Sequence, residues 1–249
     1  MIKALLIRRY WLFKNRLVPS LILYLLLPFI IFAMIGSPLK NIIRYSISGV
    51  PYDIWSLPGL IFILASIVIF PPIYREFFDL RMHEKSLFNI ALTPHSKSKI
   101  IFCNLVVAII ETIIISILAG IIYTNFIEIS FSFLNLLFFI STLILYLFLI
   151  GNLFTTLLLL FDNLSTVLLS VSIIFLINIF GSGFIIETSF FPNELGRLLT
   201  LQPLSIPFQI YRTFNSIGII NLEVLLFLFP IIYLWILLNS FLLKRKMLQ

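Results

Sequence analysis

The sequence predicts an all-α polytopic membrane protein with six transmembrane helices. Of its 249 residues, 61% are apolar and only 11% are charged, whereas soluble domains are about 45–50% apolar and about 25% charged. The apolar residues also lie in blocks of about twenty, the length at which a helix crosses roughly 30 Å of hydrocarbon. This composition excludes a soluble enzyme and a disordered regulator.

We expect a single transmembrane domain over 1–249 that begins with a segment lying flat in the headgroup layer. In residues 1–16, apolar side chains alternate with basic ones at near-helical spacing. The apolar members are Ile2, Leu5, Leu6, Tyr10 and Phe13. This pattern predicts an amphipathic interfacial helix. The alternative is a basic flank that only sets the orientation of the first span.

Six apolar blocks follow, and each is assigned to a transmembrane span. The spans are 17–36, 54–73, 100–123, 131–161, 164–186 and 224–243. The fourth block has 31 uncharged residues, more than a perpendicular crossing needs. Its helix must therefore tilt, or its ends must lie in the interface.

The two longest connections differ from simple loops. In segment 74–99, charged and apolar residues mix at helical spacing up to Pro94, which predicts a short surface helix whose apolar side needs a partner. The alternative there is a solvated connector. Segment 187–221 is rich in proline and apolar residues, which predicts a partly re-entrant helical hairpin buried against protein. Gly181 and Gly183 permit a sharp change of direction or a close helix contact before it.

Basic residues predict the orientation of the chain. In a six-span arrangement, the two termini and the 74–99 loop share one side and hold thirteen Lys and Arg residues, against four on the other side. Because positively charged segments stay in the cytoplasm, we expect a multi-pass protein of the cell (inner or cytoplasmic) membrane with both termini cytoplasmic.

Residues that could carry chemistry are few. Cys103 has no second cysteine for a disulfide, and His83 and His95 lack further ligands at metal-site spacing. The sequence has no glycine-rich phosphate loop that ends in Gly-Lys-Ser or Gly-Lys-Thr. If ATP drives this protein, another chain must bind the nucleotide.

Glu111 is the ionisable residue well inside an apolar block, near the middle of the third span. A carboxyl group at that depth is a hypothesis for a proton or cation site. We favour instead a structural hydrogen bond to a neighbouring helix, for example to Asn152 or Ser170, because no second charge lies deep in another span. Asp162, in the turn between the fourth and fifth spans, is interpreted as a helix cap.

Three stretches resemble the permease of a type-2 ATP-binding-cassette (ABC) exporter. Residues 51–60, PYDIWSLPGL, are similar to the family's Tyr-then-Pro-Gly start of the second span. Residues 81–94, RMHEKSLFNIALTP, are similar to the family's next pattern, in which an acidic residue is followed by Gly or Lys, by Thr and Leu, and by a Leu-rich stretch that ends at Thr-Pro. The third stretch is similar to the family's outer hairpin and to the Asn-Pro-Leu…Arg motif that ends it. The matching residues are Gly183-Phe184, Phe191-Pro192, Gln202-Pro203-Leu204 and Arg212. The departures are Lys85 for Gly, Ser86 for Thr and Gln202 for Asn.

This resemblance implies ATP-driven export by a protein with no ATPase site of its own. The chain would hold no metal or cofactor, and a separate nucleotide-binding ATPase subunit would bind ATP and Mg²⁺. A second permease, in a homodimer or heterodimer, would complete a central path for a polysaccharide, lipid, peptide or drug. The coupling element that docks the ATPase would contain Glu84, Lys85, Ser86, Leu87, Thr93 and Pro94.

A competing hypothesis is a proton- or ion-coupled secondary transporter that uses Glu111. That class predicts buried charged partners or a repeated half, and the sequence offers neither. A membrane-embedded enzyme would need polar residues that converge at one depth, and no such cluster is evident.

Overall fold

The chain folds into a bundle of helices. The computed structural model describes residues 1–15, 17–46, 49–82, 95–127, 133–218, 220 and 222–247. Its helices are α1 (Ile2–Asn15), α2 (Leu17–Ile31), α3 (Ser37–Ile42), α4 (Tyr52–Tyr74), α5 (Leu80–Met82), α6 (Lys97–Phe126), α7 (Phe133–Leu160), α8 (Leu164–Gly181), α9 (Asn193–Leu201), α10 (Ile206–Ile217) and α11 (Leu222–Met247). Within this part of the chain, extended residues pair only at an isolated bridge between Tyr45 and Pro51.

Six helical stretches in the described residues are long and apolar enough to cross a membrane, which confirms the predicted fold class. They are Leu17–Ile42, Tyr52–Met82, Lys97–Phe126, Phe133–Leu160, Leu164–Gly181 and Leu222–Lys246. The second span is longer than the sequence predicted, because π-helical turns at Arg75–Asp79 carry it from α4 into α5. The fifth is shorter, since the chain leaves the helix at Gly181.

The second span is the centre of the bundle. Of its most apolar stretch, 72% is buried inside the protein, against 11% for the first span and 22% for the fifth and sixth. It packs chiefly on the third and fourth spans, and the sixth packs on those two from the other side. The exposed apolar residues of the first, fifth and sixth spans form the surface that suits lipid.

The chain after the fifth span folds back against the start of the second. Gly183 has a φ of +77°, a conformation that glycine adopts without strain. The turn brings the Phe184 carbonyl so close to Gly59 that a Cβ at residue 59 would lie 2.0 Å from the carbonyl oxygen. Tyr52 then donates a hydrogen bond to the Ile185 carbonyl at 2.9 Å. The predicted change of direction at Gly181 and Gly183 is confirmed.

Helices α9 and α10 form the segment that was predicted as an outer hairpin. A buried serine, Ser205, holds their junction through hydrogen bonds to the carbonyls of Leu199 and Gln202 at 3.0 and 2.8 Å. Phe208 of α10 packs on Phe62 and Phe184 at ring-centroid distances of 5.0 and 4.8 Å. The hairpin is therefore fixed to the second span by aromatic packing.

Amide and hydroxyl groups join the fourth and sixth spans inside the bundle. The Asn239 side-chain amide donates to the Asn152 side chain at 3.0 Å and to the Asn152 carbonyl at 3.1 Å. Thr156 lies within hydrogen-bond distance of Asn239, and the Trp235 indole N–H donates to the Thr156 hydroxyl at 2.9 Å. These bonds satisfy polar groups that lipid could not, and they fix the rotation of the two helices.

The close approach at Gly59 predicts a stability defect. Gly59→Ala places a methyl group against the Phe184 backbone, and overpacking of this kind costs about 1–3 kcal/mol. We expect a lower thermal unfolding midpoint in detergent, followed with a thiol-reactive dye on Cys103, which is the sole cysteine of the chain and is buried.

Gly120→Ala is the matched control. Its new methyl group would lie 3.8 Å from the Ile61 side chain, an ordinary contact, and alanine favours the helix by about 0.8–1.0 kcal/mol over glycine. An equal loss of stability in both variants would contradict the account of Gly59.

Candidate functional site

Charged residues from four segments meet at one end of the bundle, called here the basic end. These segments are α1, the α4–α5 junction, the turn between the fourth and fifth spans and the last turn of the sixth span. The charged residues that join them are Arg8, Arg9, Glu76, Arg81, Asp162 and Lys246. The set forms two clusters, one around each carboxylate.

Glu76 holds the N-terminal helix against the second span. Arg8 Nη1 lies 3.2 Å from Glu76 Oε2, and Arg9 Nη2 lies 3.4 Å from Glu76 Oε1. Arg9 also donates to the Pro72 carbonyl at 2.7 Å. Glu76 is 5% exposed, so this carboxylate depends on the two guanidinium groups for its charge partners.

The same helix presents a different face to its surroundings. Ile7, Tyr10 and Trp11 of α1 are 48%, 62% and 56% exposed, and the Lys14 ammonium lies 5.4 Å from the centre of the Trp11 ring. Tyrosine, tryptophan and lysine are the residues that favour a headgroup layer. The predicted helix is present, and its position in the headgroup layer stays a prediction.

Arg81 caps the end of the fourth span. Its guanidinium donates to the carbonyls of Leu159 and Phe161 at 3.1 and 2.7 Å and lies 3.0 Å from Asp162. A cation at a helix C-terminus pairs with unsatisfied carbonyls and with the helix dipole. Lys246 of the sixth span binds the other oxygen of Asp162 at 2.7 Å.

The interpretation of Asp162 as a helix cap is therefore wrong. Asn163 caps the fifth span instead, because its side-chain oxygen accepts from the Ser165 amide at 3.2 Å. Asp162 lies one residue too early for that bond, and it joins the second, fourth and sixth spans through Arg81 and Lys246.

The predicted coupling residues Glu84, Lys85, Ser86, Leu87, Thr93 and Pro94 lie outside the described residues. The helices on both sides of segment 83–94 are described and are fixed to the bundle. Arg81 anchors the preceding end to the fourth span. Past the segment, the Ser98 hydroxyl donates to Ser240 of the sixth span at 3.0 Å.

Glu111 makes a hydrogen bond that the sequence did not indicate. The Tyr24 hydroxyl of the first span donates to Glu111 Oε1 at 3.1 Å, whereas Asn152 bonds with Asn239. The expectation of a partner such as Asn152 or Ser170 is therefore wrong, although the pairing between helices is confirmed. Glu111 Oε2 is buried and has no hydrogen-bond partner among the described residues.

Two crevices meet at Glu111. The larger, about 460 Å³, lies between α1 and the first and second spans, with Arg9, Tyr24 and Arg75 in its wall. The smaller, about 300 Å³, lies between α1 and the first and third spans and shares Arg9, Tyr24 and Glu111. Both volumes lie in or at the edge of the range of small-molecule sites.

At the opposite end of the bundle, Arg212 lies between two aromatic rings. Its guanidinium carbon is 3.6 Å from the centre of the Trp55 ring and 4.4 Å from that of Phe208. Burial lowers the pKa of Arg212 to about 9, and the nearby Glu187 opposes the shift, so the group is charged at neutral pH. The structure thus brings Arg212 into contact with Trp55 of the stretch 51–60. Arg212 and this stretch both belong to the resemblance described above.

Comparisons with protein families, with curated proteins and with solved structures find no match for this chain. No group of three or more metal-ligating side chains that could hold an ion occurs among the described residues. The geometry of the basic end and of the Glu111 crevices is therefore the basis for a functional proposal.

The Glu76 cluster predicts a specific loss of stability. Glu76→Gln leaves Arg8 and Arg9 without a charge partner, and we expect a cost of about 2 kcal/mol, reduced from the fully buried case because Arg8 is partly exposed. For a chain of this size that corresponds to a midpoint about 4–8 °C lower, measured with the Cys103 dye.

Asp53→Asn provides the comparison. Asp53 pairs with Lys40 at 2.6 Å, but the Lys40 side chain is 58% exposed, so the pair contributes below about 1 kcal/mol. A larger loss in Asp53→Asn than in Glu76→Gln would contradict the role assigned to the buried cluster.

Proposed function

We propose that this chain is the transmembrane permease subunit of an ABC exporter. With a second permease copy it forms the path for export of a polysaccharide, lipid, peptide or drug. A separate nucleotide-binding subunit, which binds ATP and Mg²⁺, drives the transport. The observation that carries the proposal is the anchoring of both ends of segment 83–94, the segment that resembles the coupling element.

The contacts of the basic end support a transmission mechanism. A force on segment 83–94 reaches the second span directly through α5, and it reaches the fourth span through the bonds of Arg81 to the Leu159 and Phe161 carbonyls. Through Asp162 it also reaches Lys246 of the sixth span. Rigid helices joined in this way shift as a unit between two packings, which is how ATP binding elsewhere could open and close a path.

The orientation proposed from the basic residues places this end in the cytoplasm, where ATP is available. There α1 lies beside the proposed docking surface, since Glu76 binds both of its arginines six residues before Met82. In this proposal the chain itself is not an enzyme, and it contributes the path and the docking surface.

The decisive experiment is copurification of this protein with the cassette ATPase subunits of its own organism. We expect the native chain to bind the ATPase and to change its ATP turnover in liposomes. The double variant Glu84→Arg, Leu87→Asp reverses a charge and removes an apolar contact, so it should lose binding and at least tenfold of the stimulation, about 1.4 kcal/mol or more.

The matched control is Glu194→Arg, Leu198→Asp, which makes the same changes on α9. Both residues are exposed at the end of the bundle away from segment 83–94. It should bind the ATPase as the native chain does. Failure of the native chain to bind any cassette subunit would refute the exporter proposal.

One observation favours a second candidate, a proton- or ion-coupled transporter. Glu111 has a buried oxygen without a partner in the described residues, and it faces two crevices. A carboxyl group in such a place is a usual site for a proton or a cation.

The exporter and the secondary transporter differ in one measurement, which is substrate uptake into proteoliposomes that contain no ATPase and carry an imposed pH gradient. The secondary transporter requires uptake that Glu111→Gln abolishes. The exporter proposal requires that the gradient alone drives no uptake in either the native chain or the variant.

A further inference from the structure

A third crevice lies between the third and fourth spans, toward the end of the bundle away from the basic end. Its volume is about 320 Å³, and its wall includes Leu57, near the start of the second span. On the third span the wall runs from Ile113 to Thr124, eleven residue steps or about 16 Å of helix. That length is about half of the roughly 30 Å of hydrocarbon in a bilayer, so the crevice matches the thickness of one leaflet.

This crevice opens on the surface of the bundle that suits lipid. Ile117 of the third span and Leu136 of the fourth are 49% and 44% exposed, whereas Ile61 of the second span is 4% exposed, and all three line the crevice. The exposed pair forms the rim, and Ile61 belongs to the inner wall. The opening is therefore continuous with the lipid-facing surface, and hydrocarbon can enter from the membrane.

The wall of the crevice offers almost nothing to a polar ligand. It contains no charged side chain. The Thr124 hydroxyl already donates to the Ile121 carbonyl at 2.9 Å, and the Ser116 hydroxyl is buried out of reach of an occupant. Water would lack the about two to four polar partners that an ordered molecule needs. Hydrocarbon, in contrast, would restore the dispersion contacts that an empty space forfeits.

Gly120 leaves room in this crevice that packing within the protein does not require. Among the described residues, a Cβ at Gly120 would meet only the Ile61 side chain, at 3.8 Å. Each other glycine of the chain either has a positive φ or would place a Cβ within 3.1 Å of a neighbour. Glycine inside a helix costs about 0.8–1.0 kcal/mol relative to alanine. The space that this glycine leaves is thus available to an occupant.

The dimensions of the crevice select a slender occupant. A volume of about 320 Å³ spread over about 16 Å gives a mean cross-section of about 20 Å². A helix with its side chains is about 10 Å across, which corresponds to about 80 Å². A helix of a second protein is therefore too wide, whereas a single extended hydrocarbon chain fits.

We propose that this crevice binds one acyl chain of a phospholipid from the leaflet away from the basic end. The chain enters between Ile117 and Leu136, lies along Gly120 and packs against Ile61. It fills the space between the third and fourth spans and reaches the second span, the centre of the bundle. This site depends neither on the exporter proposal nor on the Glu111 crevices.

The test is photolabelling in proteoliposomes of phosphatidylcholine that include a small fraction of the same lipid with a diazirine near the middle of one acyl chain. On illumination the diazirine loses N₂, and the carbene inserts into C–H bonds that the chain touches. Mass spectrometry of the digested protein then locates the adducts.

In the native chain we expect adducts on Ile61 at a yield similar to that on Ile173. Ile173 lies on the fifth span and is 48% exposed, so it reports ordinary lipid contact. Phe62 is adjacent to Ile61 but is 0% exposed and absent from the crevice wall. It should therefore stay unlabelled.

Two variants block the crevice from opposite walls. Gly120→Leu fills the space beside Ile61, and Leu136→Trp narrows the opening from the fourth span. Each should lower the yield on Ile61 relative to Ile173 by about tenfold, equivalent to about 1.4 kcal/mol of lost chain binding. Because leucine favours the helix over glycine and residue 136 is exposed, neither change conflicts with folding.

Matched controls make the same changes outside the crevice. Ala33→Leu adds a leucine at an exposed position of the first span, and Leu137→Trp changes the residue next to Leu136, which is 54% exposed. Neither residue belongs to the crevice wall. Both variants should label Ile61 as the native chain does.

Native protein labelled on Ile173 but not on Ile61 would overturn the proposal, and this arm needs no variant. Labelling of Ile61 that persists in Gly120→Leu or in Leu136→Trp would overturn the assignment to this crevice. Neither result would affect ATPase copurification, so failure of this site and failure of the exporter proposal are distinguishable.

Discussion

The buried carboxylate of Glu76 determines how the basic end is built. A carboxylate that is 5% exposed requires cationic partners, and the two nearest along the fold are Arg8 and Arg9 of the N-terminal helix. Their pairing fixes α1 beside the second span. The walls of both Glu111 crevices include residues of α1, so the position of this helix shapes both of them.

The second span connects the two ends of the molecule. At its start, Tyr52 and Gly59 receive the chain that folds back after the fifth span. At its end, Glu76 and Arg81 bind α1 and the fourth span. This helix therefore has fixed contacts at both ends and is buried over most of its apolar stretch.

Polar groups in the bundle are divided between two uses. The Asn152, Asn239 and Thr156 bonds are satisfied within the protein and fix the fourth span against the sixth. Glu111 is different, because one of its oxygens has no partner in the described residues. Fully paired groups specify a packing, whereas an unpaired buried atom costs free energy.

The sequence by itself determined the fold class, the six spans, the helical N-terminal segment and the turn at Gly181 and Gly183, because hydrophobic length and glycine freedom are local properties. Only the tertiary structure decided which polar side chains pair with each other. Asp162 became a junction of three spans, Glu111 paired with Tyr24, and Arg81 capped a helix seventy-eight positions away. Such pairs join residues far apart in the chain, and hydropathy carries no information on which helix faces are neighbours.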